Sequence, residues 1–258
     1  MGATRIVILG GGPAGYEAAL VAAQLGAAVT VVERDGPGGA CVLYDCVPSK
    51  TFIATSETMA AFRGAASLGV HAGDPKDVSV HAPTVHGRVT ALARAQSADI
   101  TDRLRADGVR VLAGTARLAD EQPGRGPYQV WVIPIDGEPE LLAAEVVLVA
   151  TGGTPRILPD ARPDGERILT WRQVYDLTEL PDHLVVVGSG VTGAEFASAY
   201  TEMGVPVTLV SSRDRMLPGE DADAAALLER VFVSRGMTIL KKARAGSVRR
   251  TADGVLVE

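Results

Sequence analysis

The chain has 258 residues, 47% of them hydrophobic, and sets 25 lysines and arginines against 31 aspartates and glutamates for a formal net charge of −6. That length fits one large domain or two ordinary ones, and the composition excludes an intrinsically disordered chain. An acidic balance with no basic block excludes an electrostatic footprint for nucleic acid or for an anionic membrane surface.

No apolar run reaches membrane-spanning length, and the opening MGATRIVILG leads into a strand-like run rather than a leader peptide. Ile6 stands where N-terminal acylation wants Ser or Thr. A cytoplasmic protein is expected. Residues 5–9 form an apolar run, followed by Gly10-Gly11-Gly12-Pro13-Ala14-Gly15 and an alanine-rich helical stretch to Leu25. Gly26 closes that helix, and residues 29–32 form a second apolar strand ending at Glu33. Strand, G-x-G-x-x-G, helix, strand and acid together point to a dinucleotide site, where the motif alone would be weak. The first glycine allows the tight turn, the second lets the backbone approach a pyrophosphate, and the third lets helix and strand pack closely. The helix N-terminus then offers N–H groups and a favourable dipole to the phosphates. Glu33, eighteen residues after Gly15, is placed to accept hydrogen bonds from a ribose.

The next feature is a pair of cysteines, the only two in the chain, in Gly38-Gly39-Ala40-Cys41-Val42-Leu43-Tyr44-Asp45-Cys46-Val47-Pro48-Ser49-Lys50. One pair in a cytoplasmic chain is not a disulfide scaffold, and His71, His81, His86 and His183 show no metal-ligand spacing, so no metal is expected. In a regular helix, residues five apart have Cα atoms about 8.6 Å apart. A disulfide needs roughly 4.4–6.8 Å, so bridging the pair requires a distorted turn, which suits an easily reduced redox bond. The alternative is two thiols close by accident of sequence. Pro48 fits the first turn of a helix running from Ser49 to about Ala66, leaving Cys46 near its N-terminus. There the dipole lowers the thiol pKa while Asp45 raises it.

A helical stretch over 85–107 precedes a strand over 109–114, short strands and turns to 144, and a further apolar strand over 146–150. Four of the fifteen prolines then lie between Pro155 and Pro181, as a crossover between domains would have. Beyond it the first motif recurs. Shifting the sequence by 178 places residues 184–211 on 6–33, with ten of 28 positions identical, including all three motif glycines. Glu17 falls with Glu195, Gly26 with Gly204, and Val29-Thr30 with Val207-Thr208. The chain therefore carries two dinucleotide-binding units, and two nucleotides in one protein suggest electron transfer from a nicotinamide to a flavin. The counterpart of Glu33 is Ser211, followed by Ser212, Arg213, Asp214 and Arg215. Without the acid, the repulsion of a 2′-phosphate disappears, and Arg213 or Arg215 is available to pair with NADPH. The alternative is two ordinary surface arginines offset by Asp214, with NADH accepted as well.

Cys-x4-Cys-Val-Pro-Ser-Lys between two dinucleotide motifs resembles the FAD-dependent pyridine nucleotide–disulfide oxidoreductases, a group that includes dihydrolipoamide dehydrogenase and glutathione reductase. The resemblance implies an α/β fold. An FAD-binding domain would span 1–153, with a β-meander about 115–145, and an NAD(P)-binding domain 154–258. It implies that Gly10, Gly12, Pro13, Ala14, Gly15, Glu33 and Arg34 hold the FAD adenosine and pyrophosphate, with Gly39, Ala40 and Cys41 along the cofactor. The strand ending at Gly114 resembles the one whose backbone touches the adenine, and Thr151-Gly152 resembles the junction between the domains. Gly188, Ser189, Gly190, Val191, Thr192, Gly193 and Glu195, with Ser211, Arg213 and Arg215, would take NAD(P)H. Cys46 would face the flavin and Cys41 would exchange with a disulfide substrate. Lys50 would lie beside the flavin and pair with Glu195; read alone, these two are a solvated helix lysine and a helix-surface acid.

Where the family has other residues between the cysteines this chain has Val42-Leu43-Tyr44-Asp45, and Ala40 replaces a typical Thr. Together with Arg167-Ile168-Leu169-Thr170-Trp171-Arg172-Gln173, that version is most similar to the actinobacterial branch acting as NAD(P)H–quinone reductases. The expected activity is passage of hydride from NAD(P)H to flavin and on to a quinone. Dihydrolipoamide dehydrogenase or another disulfide reductase is the alternative, and a nucleotide-binding piece without turnover is a third. The family's return segment, its dimerisation domain and its His–Glu pair have no counterpart in the 258 residues. The chain is thus expected to be about half an enzyme, weak in FAD binding and turnover by itself, with a homodimer only for a longer chain. Its last residues, 255–258, read as a strand of the second dinucleotide domain.

Overall fold

The computed structural model describes residues 2–258 apart from 72, 75, 76, 121–125 and the side chain of Asp176. The expected meander span therefore includes five residues outside the described ones. The chain divides into two compact units, residues 1–47 with 91–154 and residues 48–90 with 155–258.

In the first unit, β1 (Arg5–Leu9), α1 (Pro13–Gln24) and β2 (Ala28–Glu33) follow the expected strand–helix–strand order. The short α2 (Gly39–Leu43), the start of α3 (Cys46–Gly64) and the end of α4 (Ala82–Ala106) follow, then β3 (Arg110–Leu118), β4 (Tyr128–Pro134), β5 (Glu140–Ala144) and β6 (Val146–Val149). These strands form one six-stranded sheet in the order β5-β4-β3-β2-β1-β6. β1 pairs in parallel with both β2 and β6 and so is covered on both edges. Its side chains alternate. Ile6 and Ile8 join Ala19, Leu20, Val31, Leu104 and Val109 on one face, while Val7 and Leu9 join Val32, Val130, Val132 and Ala144 on the other. A strand buried on both faces needs an uninterrupted apolar sequence, which is what residues 5–9 supply apart from Arg5.

The meander shares a strand with this sheet and folds back over it, laying Val130, Val132 and Ala144 against Val7 and Leu9 of β1. β3 pairs in parallel with β2 through Ala113 and then antiparallel with β4 from Gly114, so a single nine-residue strand belongs to both arrangements.

In the second unit, β7 (Leu184–Val187), α5 (Val191–Glu202), β8 (Val207–Val210), α6 (Ala222–Ser234) and β9 (Thr238–Leu240) build a three-stranded parallel sheet with order β7-β8-β9. Its core joins Phe196, Ala197, Tyr200, Leu209 and Met216 to Phe52 of α3 and Val85 and Val89 of α4. Phe52 lies 5.2 Å from the Tyr200 ring and 6.0 Å from Tyr175. Residues 48–90 thus pack with the second unit, whereas the sequence placed them with the first. An apolar helix face does not state which sheet it will cover.

The chain's last residues form a strand of the second unit. β11 (Val255–Val257) pairs antiparallel with β10 (Val248–Arg250) in a two-stranded sheet of its own, apart from the parallel sheet of this unit. Val248 donates its N–H to the Asp160 carbonyl at 2.8 Å, tying the hairpin to the proline-rich connector.

Candidate dinucleotide and thiol sites

Backbone geometry repeats in the two units with the sequence. Gly10 and Gly188 take φ of +102° and +117°, and their N–H groups donate to Val32 and Val210 at 2.8 and 3.0 Å. A Cβ on Gly15 would collide with the Gly10 carbonyl, and one on Gly193 with the Gly188 carbonyl. The third glycine therefore sets how closely each helix meets the preceding turn, as the motif requires. Gly12 and Gly190 occupy the N-cap positions of α1 and α5 in extended conformations, with no side-chain cap on either helix. Both N-termini keep their donors and positive dipole ends for an anion.

Around the first turn the structure gathers several predicted residues. Gly38 donates to the Gly11 carbonyl at 2.7 Å, and Gly39 packs against Gly12, bringing the start of α2, with Ala40 and Cys41, to the glycine turn. Ala150 donates to Leu9 at 2.8 Å and its carbonyl lies beside Gly10, so Thr151 and Gly152 leave β6 next to the same turn. Glu33 closes β2 with both carboxylate oxygens engaged. Oε2 accepts from the Gly11 N–H at 2.6 Å and Oε1 from the Asp35 N–H at 2.8 Å. A fixed carboxylate with lone pairs remaining is a competent ribose acceptor. Glu33 is opposite Ala113 in the sheet, which places Gly114 one residue beyond it. Arg34 is exposed and pairs with Asp35 at 3.0 Å, and that contact raises its pKa.

The helical path between the cysteines is broken. α2 ends at Leu43, Tyr44 and Asp45 both donate to the Ala40 carbonyl at 2.9 and 2.8 Å, and α3 begins at Cys46. Double use of one carbonyl widens the turn where a continuous helix would hold the two residues about 8.6 Å apart. Cys41 is half-buried and Cys46 exposed. α3 starts at Cys46 rather than Ser49, with Pro48 in its first turn where a missing N–H is harmless. Tyr16 of α1 is half-buried. Its phenol pKa is raised, by burial first and then by Glu17.

In the second unit, Lys50 donates from Nζ to Glu195 Oε1 at 2.6 Å, an ion pair between α3 and α5 that neither local sequence announces. Cys46 and Lys50 are four residues apart on α3 and share a face of the helix. Val191 and Thr192 open α5 behind Gly188, Ser189 and Gly190. Ser211, at the end of β8, is fully buried with its hydroxyl engaged by Ser189, Arg213 and Arg215. It sits under the loop rather than on its surface. Arg213 and Arg215 line a cavity of about 550 Å³ with Asp214, Pro218 and Gly219.

The comparisons agree with this double architecture. The family model described as pyridine nucleotide-disulphide oxidoreductase matches residues 4–258. The chain is 60% identical over 257 residues to an NAD(P)H dehydrogenase (quinone) of Mycobacterium tuberculosis, covering 98% of this chain and 52% of the relative. It is 35% identical over 253 residues to a dihydrolipoyl dehydrogenase of Chlorobaculum tepidum, again covering 98% of this chain and 52% of the relative. The crystal structure of LpdA from Mycobacterium tuberculosis matches with a TM-score of 0.92 at 59% identity, covering 98% of this chain and 55% of that one. The chain spans about half the length of the curated relatives it matches. With two glycine turns of one geometry, a cysteine pair on a broken helical turn, and a family match that runs through both units, the chain belongs to the pyridine nucleotide-disulphide oxidoreductase family.

Proposed function

We propose that the chain forms the nucleotide-handling part of a flavin-dependent oxidoreductase that takes hydride from NAD(P)H and delivers electrons to a quinone. The observation that carries the reading is the nucleotide turn built twice, ending once on Glu33 and once on Ser211 with Arg213 and Arg215. In the first unit, Gly10, Gly12, Pro13, Ala14 and Gly15 would receive the FAD pyrophosphate at the uncapped end of α1, and Glu33 the ribose. Arg34, Gly39, Ala40, Cys41, Gly114, Thr151 and Gly152 would complete that site. In the second unit, Gly188, Gly190, Val191, Thr192 and Gly193 would receive the NAD(P)H pyrophosphate at the end of α5, with the buried Ser189 beneath the turn. Bound in this way, FAD supplies the carrier between a two-electron donor and the acceptor.

The chain's own residues position and charge the site. Lys50, held by Glu195, would supply a cation for the flavin, and the family resemblance gives the pair a catalytic role. Arg213 and Arg215 favour the 2′-phosphate of NADPH, and the absence of an acid at 211 leaves no repulsion against it. Reduction of a quinone to its hydroquinone consumes two electrons and two protons, which one NAD(P)H and one solvent proton supply.

The broken turn between Cys41 and Cys46 favours a second reading, a disulfide reductase of the dihydrolipoyl dehydrogenase type, in which Cys41 exchanges with the substrate and Cys46 faces the flavin. Cys41→Ser separates the two. On the leading reading quinone reduction survives while lipoamide reduction is lost; disappearance of quinone turnover as well would contradict it. A purified chain that cannot take up flavin at all would instead favour a nucleotide-binding piece without turnover.

A further inference from the structure

Resting on the reading that the second unit takes NAD(P)H, we infer that Ser189 is a positioning residue for nucleotide choice: with Ser211 it holds the 212–219 loop so that Arg213 and Arg215 receive the phosphomonoester of a 2′-phosphorylated adenosine.

The inference comes from laying one unit on the other. Under the 178-residue shift, Ser189 falls on Gly11, Ser211 on Glu33 and Arg213 on Asp35. In the first unit Gly11 N–H and Asp35 N–H both donate to the Glu33 carboxylate, at 2.6 and 2.8 Å. In the second unit the Arg213 N–H makes the same bond to the side chain at 211, at 3.2 Å. The other donor has changed, because the Ser189 hydroxyl donates to Ser211 Oγ at 2.7 Å in place of a backbone N–H. Ser211 in turn donates to the Arg215 carbonyl at 3.1 Å. A short hydroxyl that bonds both Arg213 and Arg215 has thus replaced a long carboxylate that reaches back to the turn. The two substitutions form one device, since Ser189 fills the gap that shortening residue 211 opens.

The rest of the loop is stitched to match. Leu217 donates to the Ser189 carbonyl at 2.7 Å, and Lys242 donates to the Arg213 carbonyl at 2.8 Å. Leu217 and Lys242 are the described non-glycine residues with left-handed backbones, φ +48° and +54°, and Leu217 is buried beside Met216. Such residues persist only where the surroundings over-determine them. The Arg215 guanidinium donates to the Pro218 and Glu220 carbonyls at 3.2 and 3.3 Å, which fixes its plane. Asp214 lines the same cavity and offsets one of the two cations. Since Ser189 and Ser211 are 6% and 0% exposed, neither is available to grip the nucleotide itself. Their effect travels through the two arginines.

The test is calorimetric titration of the chain with 2′,5′-ADP, 5′-AMP and inorganic phosphate, before and after substitution at 189. Wild type is expected to bind 2′,5′-ADP more tightly than 5′-AMP. Ser189→Ala is expected to weaken 2′,5′-ADP about five- to tenfold, the scale of one lost buried hydrogen bond, and to leave 5′-AMP unchanged. Ser189→Thr, which keeps the hydroxyl, should retain the preference, and Ser189→Gly combined with Ser211→Glu, which copies the first unit, should invert it. Equal affinities for wild type and Ser189→Ala would overturn the inference while NADPH use stood. Equal weakening of both nucleotides would reduce Ser189 to a structural role and overturn it too. Inorganic phosphate binding as tightly as 2′,5′-ADP would make the cradle a free-phosphate site. A wild type indifferent to the 2′-phosphate would remove the NADPH reading and the inference together.

Discussion

Lys50 and Glu195 are 145 positions apart and meet at 2.6 Å, yet their side chains are 58% and 21% exposed. A pair that open to solvent contributes at most about 1 kcal/mol to folding. Its conservative removal separates stability from chemistry. Glu195→Gln is expected to leave the unfolding free energy within about 1 kcal/mol of wild type. It should slow reduction of bound flavin by NADPH about ten- to a hundredfold, the scale of a charged hydrogen bond. Stopped-flow absorbance and urea unfolding read the two quantities; unchanged flavin reduction would contradict the role of the pair. Tyr200 makes the opposite case. It is fully buried, its hydroxyl has no partner among the described residues, and burial pushes its pKa up. Tyr200→Phe should therefore leave stability unchanged or raise it by up to about 1 kcal/mol. A loss larger than that in urea unfolding would reveal a hydrogen bond the hydroxyl makes.

At the scale of elements, the two strand–turn–helix units were readable because each local choice agreed with the others: apolar runs of strand length, glycines at the turn, and an alanine-rich helix able to pack closely. The hydroxyl pair at 189 and 211 was not read, although the signal was present. The repeat changes both partners of the Gly11–Glu33 bond at once. The connector after Pro155 was legible only as irregular chain. Its order depends on Asp164, whose carboxylate accepts the N–H groups of Glu166, Arg167 and Ile168, each at 2.9 Å, and meets Arg250 of β10. Those bonds lower the Asp164 pKa to about 2, the Ile168 N–H contributing most. A carboxylate with a depressed folded pKa stabilises above its unfolded value, roughly 3.9. That contribution fades as pH falls from there through about 2. Replacing Asp164 with Asn should thus flatten the acid side of the pH–stability curve between those values, and an unaltered curve would contradict the assignment. Helix α6 offers a simpler check, because Asp221 caps it by accepting from Asp223 and Ala224, both at 3.0 Å. Asp221→Ala should cost about 1 kcal/mol in chemical denaturation.

Over the whole molecule, periodicity and motif predicted that there are two nucleotide units but not which segments build each. Residues 48–90 pack with the second unit because Phe52, Val85 and Val89 join the Phe196–Tyr200 cluster, a choice made by side-chain complementarity that pattern does not encode. Strand β11 was foreseen as a strand, while its partner β10 was not named, since strand propensity carries no information about pairing. One long-range pairing was legible where the packing was not. Lys50 and Glu195 were linked only through the family resemblance, and the structure brings them together inside one unit.

The central claim is that one chain holds two separate dinucleotide sites, the first for FAD and the second for NAD(P)H. Calorimetric titration of the chain with FAD, repeated in saturating 2′,5′-ADP, tests it most directly. The account predicts one FAD per chain with an affinity that 2′,5′-ADP does not alter, and a Glu33→Ala variant that weakens FAD while leaving 2′,5′-ADP unchanged. Competition between the two ligands, or equal loss of both in Glu33→Ala, would contradict it.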